Sequence, residues 1–151
     1  MDRPIELDPA TMAATLFEQG YTCAQAVLAA FAGRHGLDRD SALRLACPFG
    51  GGIARGGWTC GAVTGALMAI GLAHGLTRVE DEAARERTYE AARALLERFR
   101  QEHGSDVCRE LLGVDISTAK GREKAAKEGL FRTHCPRFVR SAARLAASLT
   151  A

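Results

Sequence analysis

The sequence is poor in aromatic residues and has no stretch in which apolar and polar residues alternate as in a β-strand. Alanine is abundant instead, and only 6% of the residues are aromatic. This composition favours helices that pack through small side chains over a β-sandwich. The chain has 151 residues, the length of one domain. We therefore expect a single all-α domain over residues 1–151, a bundle of about six to eight helices.

The first residues lack the pattern of a secretory signal, a basic start followed by an apolar run, so we expect a cytoplasmic protein. In that compartment thiols stay reduced and structural disulfides are uncommon. The formal net charge of +2 gives no reason to expect a nucleic-acid partner. Residues 58–76 carry no charge and are long enough to cross a membrane, but they are rich in Gly, Ala and Thr. We predict a buried central helix there and no membrane span.

Several cysteine and glycine motifs are missing. The absence of Cys-x-x-Cys argues against a thioredoxin-type pair and a zinc ribbon, and the absence of Cys-x-x-Cys-His argues against covalent haem. The glycine-rich stretch of residues 50–66 lacks the Lys-Ser/Thr ending of a P-loop, and no strand precedes it, so nucleotide binding is disfavoured. Five cysteines remain to be explained: Cys23, Cys47, Cys60, Cys108 and Cys135.

Helix-starting and helix-ending residues divide the chain clearly. Asp8 with Pro9, and Thr22 with Gln25, are typical helix starts, and Gly104 is a typical helix end. The predicted helices cover residues 9–17, 23–32, 38–47, 58–74, 78–103, 105–112, part of 116–129, and 135–149.

Four of the five cysteines fall at predicted helix N-termini. Cys23 follows the Thr22 cap, and Cys60 lies in the first turn after the glycine-rich stretch. Cys108 is the third residue after a predicted Ser105 cap, and Cys135 stands at the cap position before a proline. Free backbone N–H groups and the helix dipole favour an anion at these positions. For cysteine that anion is the thiolate, which attacks disulfides and binds metals.

The residues leave three interpretations of these four cysteines open. They could converge in a helical bundle and form one or two redox-active disulfides. The same four thiolates could instead bind an iron–sulfur cluster or zinc. In the third interpretation they are inert small hydrophobes in the core of a structural or interaction module.

Glycines recur every four residues around Cys60, at Gly57, Gly61 and Gly65. This spacing predicts a groove in which another helix approaches closely, either within the chain or across a homodimer. The bare backbone of Gly61 and Gly65 would also leave room beside Cys60 for a cofactor, a partner sulfur or a small substrate.

The ordered set formed by Cys23, the segment Cys60-Gly61-Ala62-Val63-Thr64-Gly65, Cys108 and Cys135 resembles the C-GCAxxG-C-C family of redox-active proteins. The resemblance extends to "CRELLG" from Cys108 and "CPRFVRSAA" from Cys135, and so covers most of the chain. It implies redox or metal chemistry without naming a reaction. Cys47 lies outside the family pattern.

We predict on this basis that the four cysteines act at one site. Cys60 is the predicted attacking thiol because its glycine surroundings give access, and Cys135 is the alternative. A redox partner, a small thiol or an anionic substrate would react there. His134 and His103 are candidate bases or ligands, with an ordinary histidine near a helix end as the alternative. The basic segment 120–144 could attract an anion, but such a surplus is usually a solvated surface.

Overall fold

The computed structural model describes residues 7–151, and within that range the protein is a helical bundle without β-strands. Eight helices have five residues or more, and a ninth, α8, is a single turn. The helices are α1 (Pro9–Glu18), α2 (Cys23–Ala32), α3 (Arg39–Ala46), α4 (Gly61–His74), α5 (Glu82–His103), α6 (Cys108–Leu112), α7 (Ala119–Lys127), α8 (Leu130–Thr133) and α9 (Cys135–Thr150). The all-α prediction is confirmed. Residues 1–6, part of the segment on which the prediction about a secretory signal rests, lie outside the described range.

The first two helices begin as predicted. The Asp8 carboxylate accepts the backbone N–H of Thr11 at 3.0 Å and so caps α1. At the start of α2, the Thr22 hydroxyl accepts the N–H of Gln25, and the Gln25 side chain accepts the N–H of Thr22. These bonds satisfy backbone donors that a helix N-terminus otherwise leaves free.

Helix α4 lies at the centre of the bundle, where it packs against α2, α5 and α9. Val63 and Ile70 on this helix are fully buried, as are Phe31 of α2 and Phe99 of α5. Burial of each such side chain stabilises the fold by about 1.5–3 kcal/mol. The predicted buried central helix after the glycine-rich stretch is therefore present. Within residues 7–151 no helix combines the length and apolar character of a transmembrane span.

Two predicted helix starts are wrong by three or four residues. Helix α4 begins at Gly61 and not near Trp58, because the backbone before Cys60 is extended and pairs with the segment before α6. Helix α5 begins at Glu82 and not near residue 78, because the Asp81 carboxylate accepts the N–H of Ala84 and caps the helix there.

Two further differences lie between α5 and α9. Ser105 does not cap α6: its hydroxyl accepts the N–H of Val107, which itself occupies the N-cap position, and α6 starts at Cys108, two residues later than predicted. Helix α8 was not predicted. Gly129, in the left-handed region with φ +67°, ends α7 and starts this additional turn.

Candidate functional site

All five cysteines line one cavity of about 840 Å³. The N-terminal ends of α2, α4, α6 and α9 meet around it and bring together Cys23, Cys60, Cys108 and Cys135. Cys60, Cys108 and Cys135 are 4%, 8% and 7% exposed, and Cys23 is partly buried. The remaining walls are largely apolar and include Phe17, Leu112, Ile116, Phe131 and Phe138. The cavity has the size of a typical small-molecule site.

The predicted placement of these thiols at helix N-termini is observed. Cys23, Cys108 and Cys135 are each the first residue of their helix, and Cys60 is the residue that precedes α4. Cys108 and Cys135 thus differ from their predicted positions by one or two residues.

A short antiparallel bridge sets Cys60 and Cys108 beside each other. Thr59 pairs with Val107, the Cys60 N–H donates to the Asp106 carbonyl at 2.8 Å, and the Cys108 N–H donates to the Trp58 carbonyl at 2.6 Å. Two cysteines 48 positions apart are thereby held on adjacent backbones.

Two glycines of α4 allow α2 to carry Cys23 against the same site. A Cβ atom at Gly61 would lie 3.1 Å from the Ala24 nitrogen and 3.3 Å from the Cys23 Cβ atom. A Cβ atom at Gly65 would lie 2.8 Å from the Ala24 carbonyl oxygen. The predicted groove therefore exists at these two positions, and it packs against α2 of the same chain.

Gly57 does not belong to that groove, contrary to the prediction. It lies in the loop with φ +73°, and a Cβ atom there would lie 3.3 Å from the Arg109 Cβ atom. Gly57 precedes Gly61 by four residues in the sequence, but the helix begins only at Gly61, so this spacing does not place Gly57 on the same helix face.

Cys23 and Cys135 affect each other's ionisation. Cys23 packs against the apolar cluster that contains Cys108 and Cys135, and also against the main core cluster that contains Cys60. The interaction between the Cys23 and Cys135 side chains is the main cause that raises the pKa of Cys23 well above its usual value, and it lowers the pKa of Cys135.

At the other two thiols, Cys60 and Cys108, burial raises the pKa, whereas a helix N-terminus lowers the pKa of a thiol. Desolvation raises the pKa of Cys60 to about 12, although the N–H groups of Ala62 and Val63 partly offset it. Burial likewise raises the pKa of Cys108 to about 11. An N-terminal position by itself therefore does not produce a thiolate here, because the free energy needed to remove the charge from water exceeds the stabilisation that the backbone N–H groups provide. Of the four thiols, Cys135 alone has a lowered pKa, which favours it over Cys60 as the attacking group.

The glycine-rich loop forms one wall of the cavity in an unusual conformation. Five consecutive residues from Gly51 to Arg55 have φ between +50° and +71°. Three of them, Ile53, Ala54 and Arg55, carry a Cβ atom, and each costs about 1–2 kcal/mol in this left-handed form. Backbone strain of this kind persists only where the surroundings impose it, and it concentrates at functional sites.

Neither candidate histidine lines the cavity within the described chain. The His134 Nδ1 atom lies 2.7 Å from the Thr133 hydroxyl oxygen. His103 stacks against Phe99 and Phe138, and burial lowers the pKa of its imidazole. Both are therefore poor candidates for a base at this site.

The predicted ligand set for iron–sulfur or zinc is not assembled. Among residues 7–151, no three side chains of the His, Cys, Asp and Glu types are arranged to hold a metal ion together. The thiols share a cavity, but within the described chain they are not arranged to hold such a group together.

Sequence reasoning missed two arginines in the cavity wall, Arg55 and Arg122. Arg55 is the one charged residue in the glycine-rich stretch, which was an available signal. Arg122 belongs to the basic segment that the sequence predicts to be a solvated surface, and only the packing of α7 shows that it lines the cavity. Cys47, at the exposed side of the cavity, was named without a role.

Comparison with known proteins finds one family. A family model described as "Putative redox-active protein (C_GCAxxG_C_C)" matches residues 21–149. A search of curated proteins and a search of solved structures find no match.

Proposed function

The chain belongs to the C_GCAxxG_C_C family, and from this we propose that it is a thiol–disulfide redox protein in which Cys23 and Cys135 form a reversible disulfide. The observation that carries the proposal is the packing of Cys23 against the cluster that contains Cys135, inside a cavity lined by five cysteines, and the pKa values of the two thiols shift in opposite directions. A contact between two thiols needs little rearrangement to become a covalent bond. The family's redox description agrees with this chemistry.

The opposite pKa shifts give the two thiols different roles, attack for Cys135 and resolution for Cys23. Cys135, with its lowered pKa, has the larger thiolate fraction and attacks an incoming disulfide. Cys23 stays protonated until the mixed disulfide forms, because its pKa is raised. Once Cys135 is no longer an anion beside it, Cys23 loses its proton more easily and resolves the mixed disulfide.

Cys60 and Cys108 have a different part in this proposal. Their raised pKa values keep them protonated at neutral pH, so they shape the cavity without attacking. Cys47 is exposed and lies at the rim. It is not required for the reaction of the buried pair.

Oxidation of the purified, fully reduced protein tests the proposal. We expect a mild disulfide oxidant to remove two thiols reversibly, and peptide mapping by mass spectrometry to show one Cys23–Cys135 disulfide. Cys23→Ser and Cys135→Ser should each abolish this product, whereas Cys47→Ser should retain it. A disulfide between other cysteines, or five thiols that resist both oxidation and labelling in the folded protein, would contradict the proposal.

Anaerobic purification with iron, zinc and sulfide analysis provides the second measurement. We expect a colourless protein with less than about one tenth of a metal ion per chain, since the cysteines are not arranged to hold one. A site with thiolate ligands binds its metal tightly at neutral pH and would retain it during purification. A brown protein with stoichiometric iron would replace the dithiol mechanism by a cluster.

A further inference from the structure

The charged side chains that line the cavity in the described chain are all positive. Arg55 and Arg122 are its charged lining residues within residues 7–151, and no aspartate or glutamate of that range lines it. Neither arginine forms an ion pair with an acidic group of the described chain. An anion in the cavity therefore meets two guanidinium groups whose charge is not already neutralised by a neighbouring carboxylate.

The strained loop explains how Arg55 reaches this position. The left-handed turn folds the chain back so that a Cβ atom at Gly51 would lie only 2.9 Å from the Arg55 Cα atom. The Arg55 N–H donates to the Gly50 carbonyl at 3.0 Å and closes the turn. Backbone strain is thus stored in the segment that places Arg55 in the wall of the cavity, and such strain concentrates at ligand clamps.

Arg122 is held from the other side. Its Nη1 atom donates to the Ile116 carbonyl at 3.1 Å, which fixes the guanidinium at the cavity wall and leaves its other N–H groups free. A guanidinium presents several donors in one plane and binds a carboxylate through two parallel hydrogen bonds.

Access limits what can react here. Three of the four thiols are less than a tenth exposed, so a disulfide on the surface of a folded protein does not reach them without opening the bundle. A small molecule fits, because the cavity of about 840 Å³ lies within the range of ligand sites. Its apolar walls favour a compound with an apolar body, and its arginines favour one that carries an anionic group.

We propose that the cavity binds a small disulfide bearing a carboxylate on each half, with Arg55 and Arg122 holding the carboxylates and the sulfur–sulfur bond beside Cys135. This inference rests on the dithiol function proposed above and adds the substrate class. It also assigns both arginines a role in recognition.

The reaction is balanced within these groups. The Cys135 thiolate attacks one substrate sulfur, the substrate S–S bond breaks, and the first half leaves as a thiolate that takes up a proton. Cys23 then loses its proton and attacks the Cys135 sulfur, and the second half leaves as a thiol. The protein is oxidised by two electrons to the Cys23–Cys135 disulfide, and the substrate is reduced to two thiols.

Two chromogenic disulfides of similar size test the inference. Dithiobis(nitrobenzoate) carries two carboxylates, whereas dithiodipyridine is uncharged near neutral pH. Both are reacted in a single turnover with reduced protein carrying Cys47→Ser, so that the exposed thiol does not contribute. Arg55→Gln and Arg122→Gln are compared with Arg140→Gln, which removes the same charge from an exposed position of α9.

We expect Arg55→Gln and Arg122→Gln each to slow the carboxylate-bearing probe by about tenfold or more, since each loses a charge-assisted contact. The neutral probe should change by less than about twofold, and Arg140→Gln should leave both rates unchanged, because a distant exposed charge contributes little to binding. Equal slowing of both probes, or slowing by Arg140→Gln as well, would overturn the inference.

The outcomes separate this inference from the function on which it rests. If neither probe produces the Cys23–Cys135 disulfide in the protein with intact arginines, the dithiol function fails. If both probes produce it and the arginine variants react normally, the dithiol function stands and the carboxylate site fails. Because Arg122 also bonds to the backbone, circular dichroism checks each variant, and Arg55→Gln carries the test if Arg122→Gln does not fold.

Discussion

Cys23 and Cys135 interact inside the cavity, and this interaction moves the pKa values of the two thiols apart. Both residues are the first of their helices, but Thr22 caps α2 with an extended backbone and a capping box, whereas His134 before α9 is helical and makes no side-chain cap. Of the two thiols, Cys135 is the one whose pKa is lowered. Desolvation opposes ionisation at both positions.

Removal of the Cys23 thiol should raise the pKa of Cys135. In Cys23→Ala, the pH at which iodoacetamide alkylates Cys135 at half its maximal rate should move upward, because the interaction with the Cys23 thiol that lowers this pKa is lost while desolvation remains. Cys23→Ser retains a donor and should shift the midpoint less. Cys108→Ala is the matched control and should leave the midpoint in place. Equal shifts in the alanine variants would show that this interaction is not the cause.

Burial of Cys60 should make the protein less stable at alkaline pH. Its pKa is raised in the fold to about 12 from a usual value near 9. The folded state therefore favours the protonated thiol, and the stability this contributes is complete below about pH 9 and is lost as the pH rises toward 12. Urea unfolding between about pH 8 and pH 10 should show a steeper loss for the native sequence than for Cys60→Ala. Parallel curves would contradict this.

The close approach of α2 and α4 should not tolerate a methyl group at Gly65. Gly65→Ala places a Cβ atom 2.8 Å from the Ala24 carbonyl oxygen, and we expect a loss of about 1–3 kcal/mol in the free energy of unfolding. Gly71→Ala on the same helix is the control: no atom lies within 4 Å of its added Cβ atom. It should stabilise the protein by about 0.5–1 kcal/mol through helix propensity. Denaturant unfolding of both variants measures whether the free energy of unfolding falls in Gly65→Ala and rises in Gly71→Ala, as expected.

Glycine should be tolerated better than alanine at one position of the strained loop. Ala54 has φ +50°, so Ala54→Gly relieves about 1–2 kcal/mol of strain and loses about 0.4–1 kcal/mol through the greater entropy of the unfolded chain, a net gain between zero and about 1.6 kcal/mol. Ala94→Gly, inside α5, should instead cost about 1 kcal/mol. If calorimetry shows both variants destabilised alike, the left-handed conformation is not a source of strain.

Much of this protein follows from local sequence signals. Asp8, Thr22, Gly104 and Gly113 mark helix ends because their effects act within a few residues, through side-chain caps or left-handed backbone. The placement of cysteines at helix N-termini follows from the same signals. Shared order with the family then predicts which four cysteines act at the site, without indicating which of them pair.

Contacts between distant segments account for what local signals miss. The start of α4 moves from Trp58 to Gly61 because Thr59 pairs with Val107, a partner 48 positions away. The same long-range pairing sets Cys60 beside Cys108. Arg122 lines the cavity only because α7 folds over it, and no local pattern distinguishes it from the other basic residues of its segment.

For the thiols too, some properties follow from local sequence and others from tertiary packing. The sequence by itself determined eight of the nine helices described, the four N-terminal cysteines and the glycines that let α2 and α4 touch, since these depend on backbone propensity and residue size. Only the tertiary structure decided that burial outweighs the helix dipole at Cys60 and that the thiol with the lowered pKa is Cys135. Desolvation and the interaction of two thiols on different helices depend on which atoms surround a sulfur, and that is a property of the packed bundle.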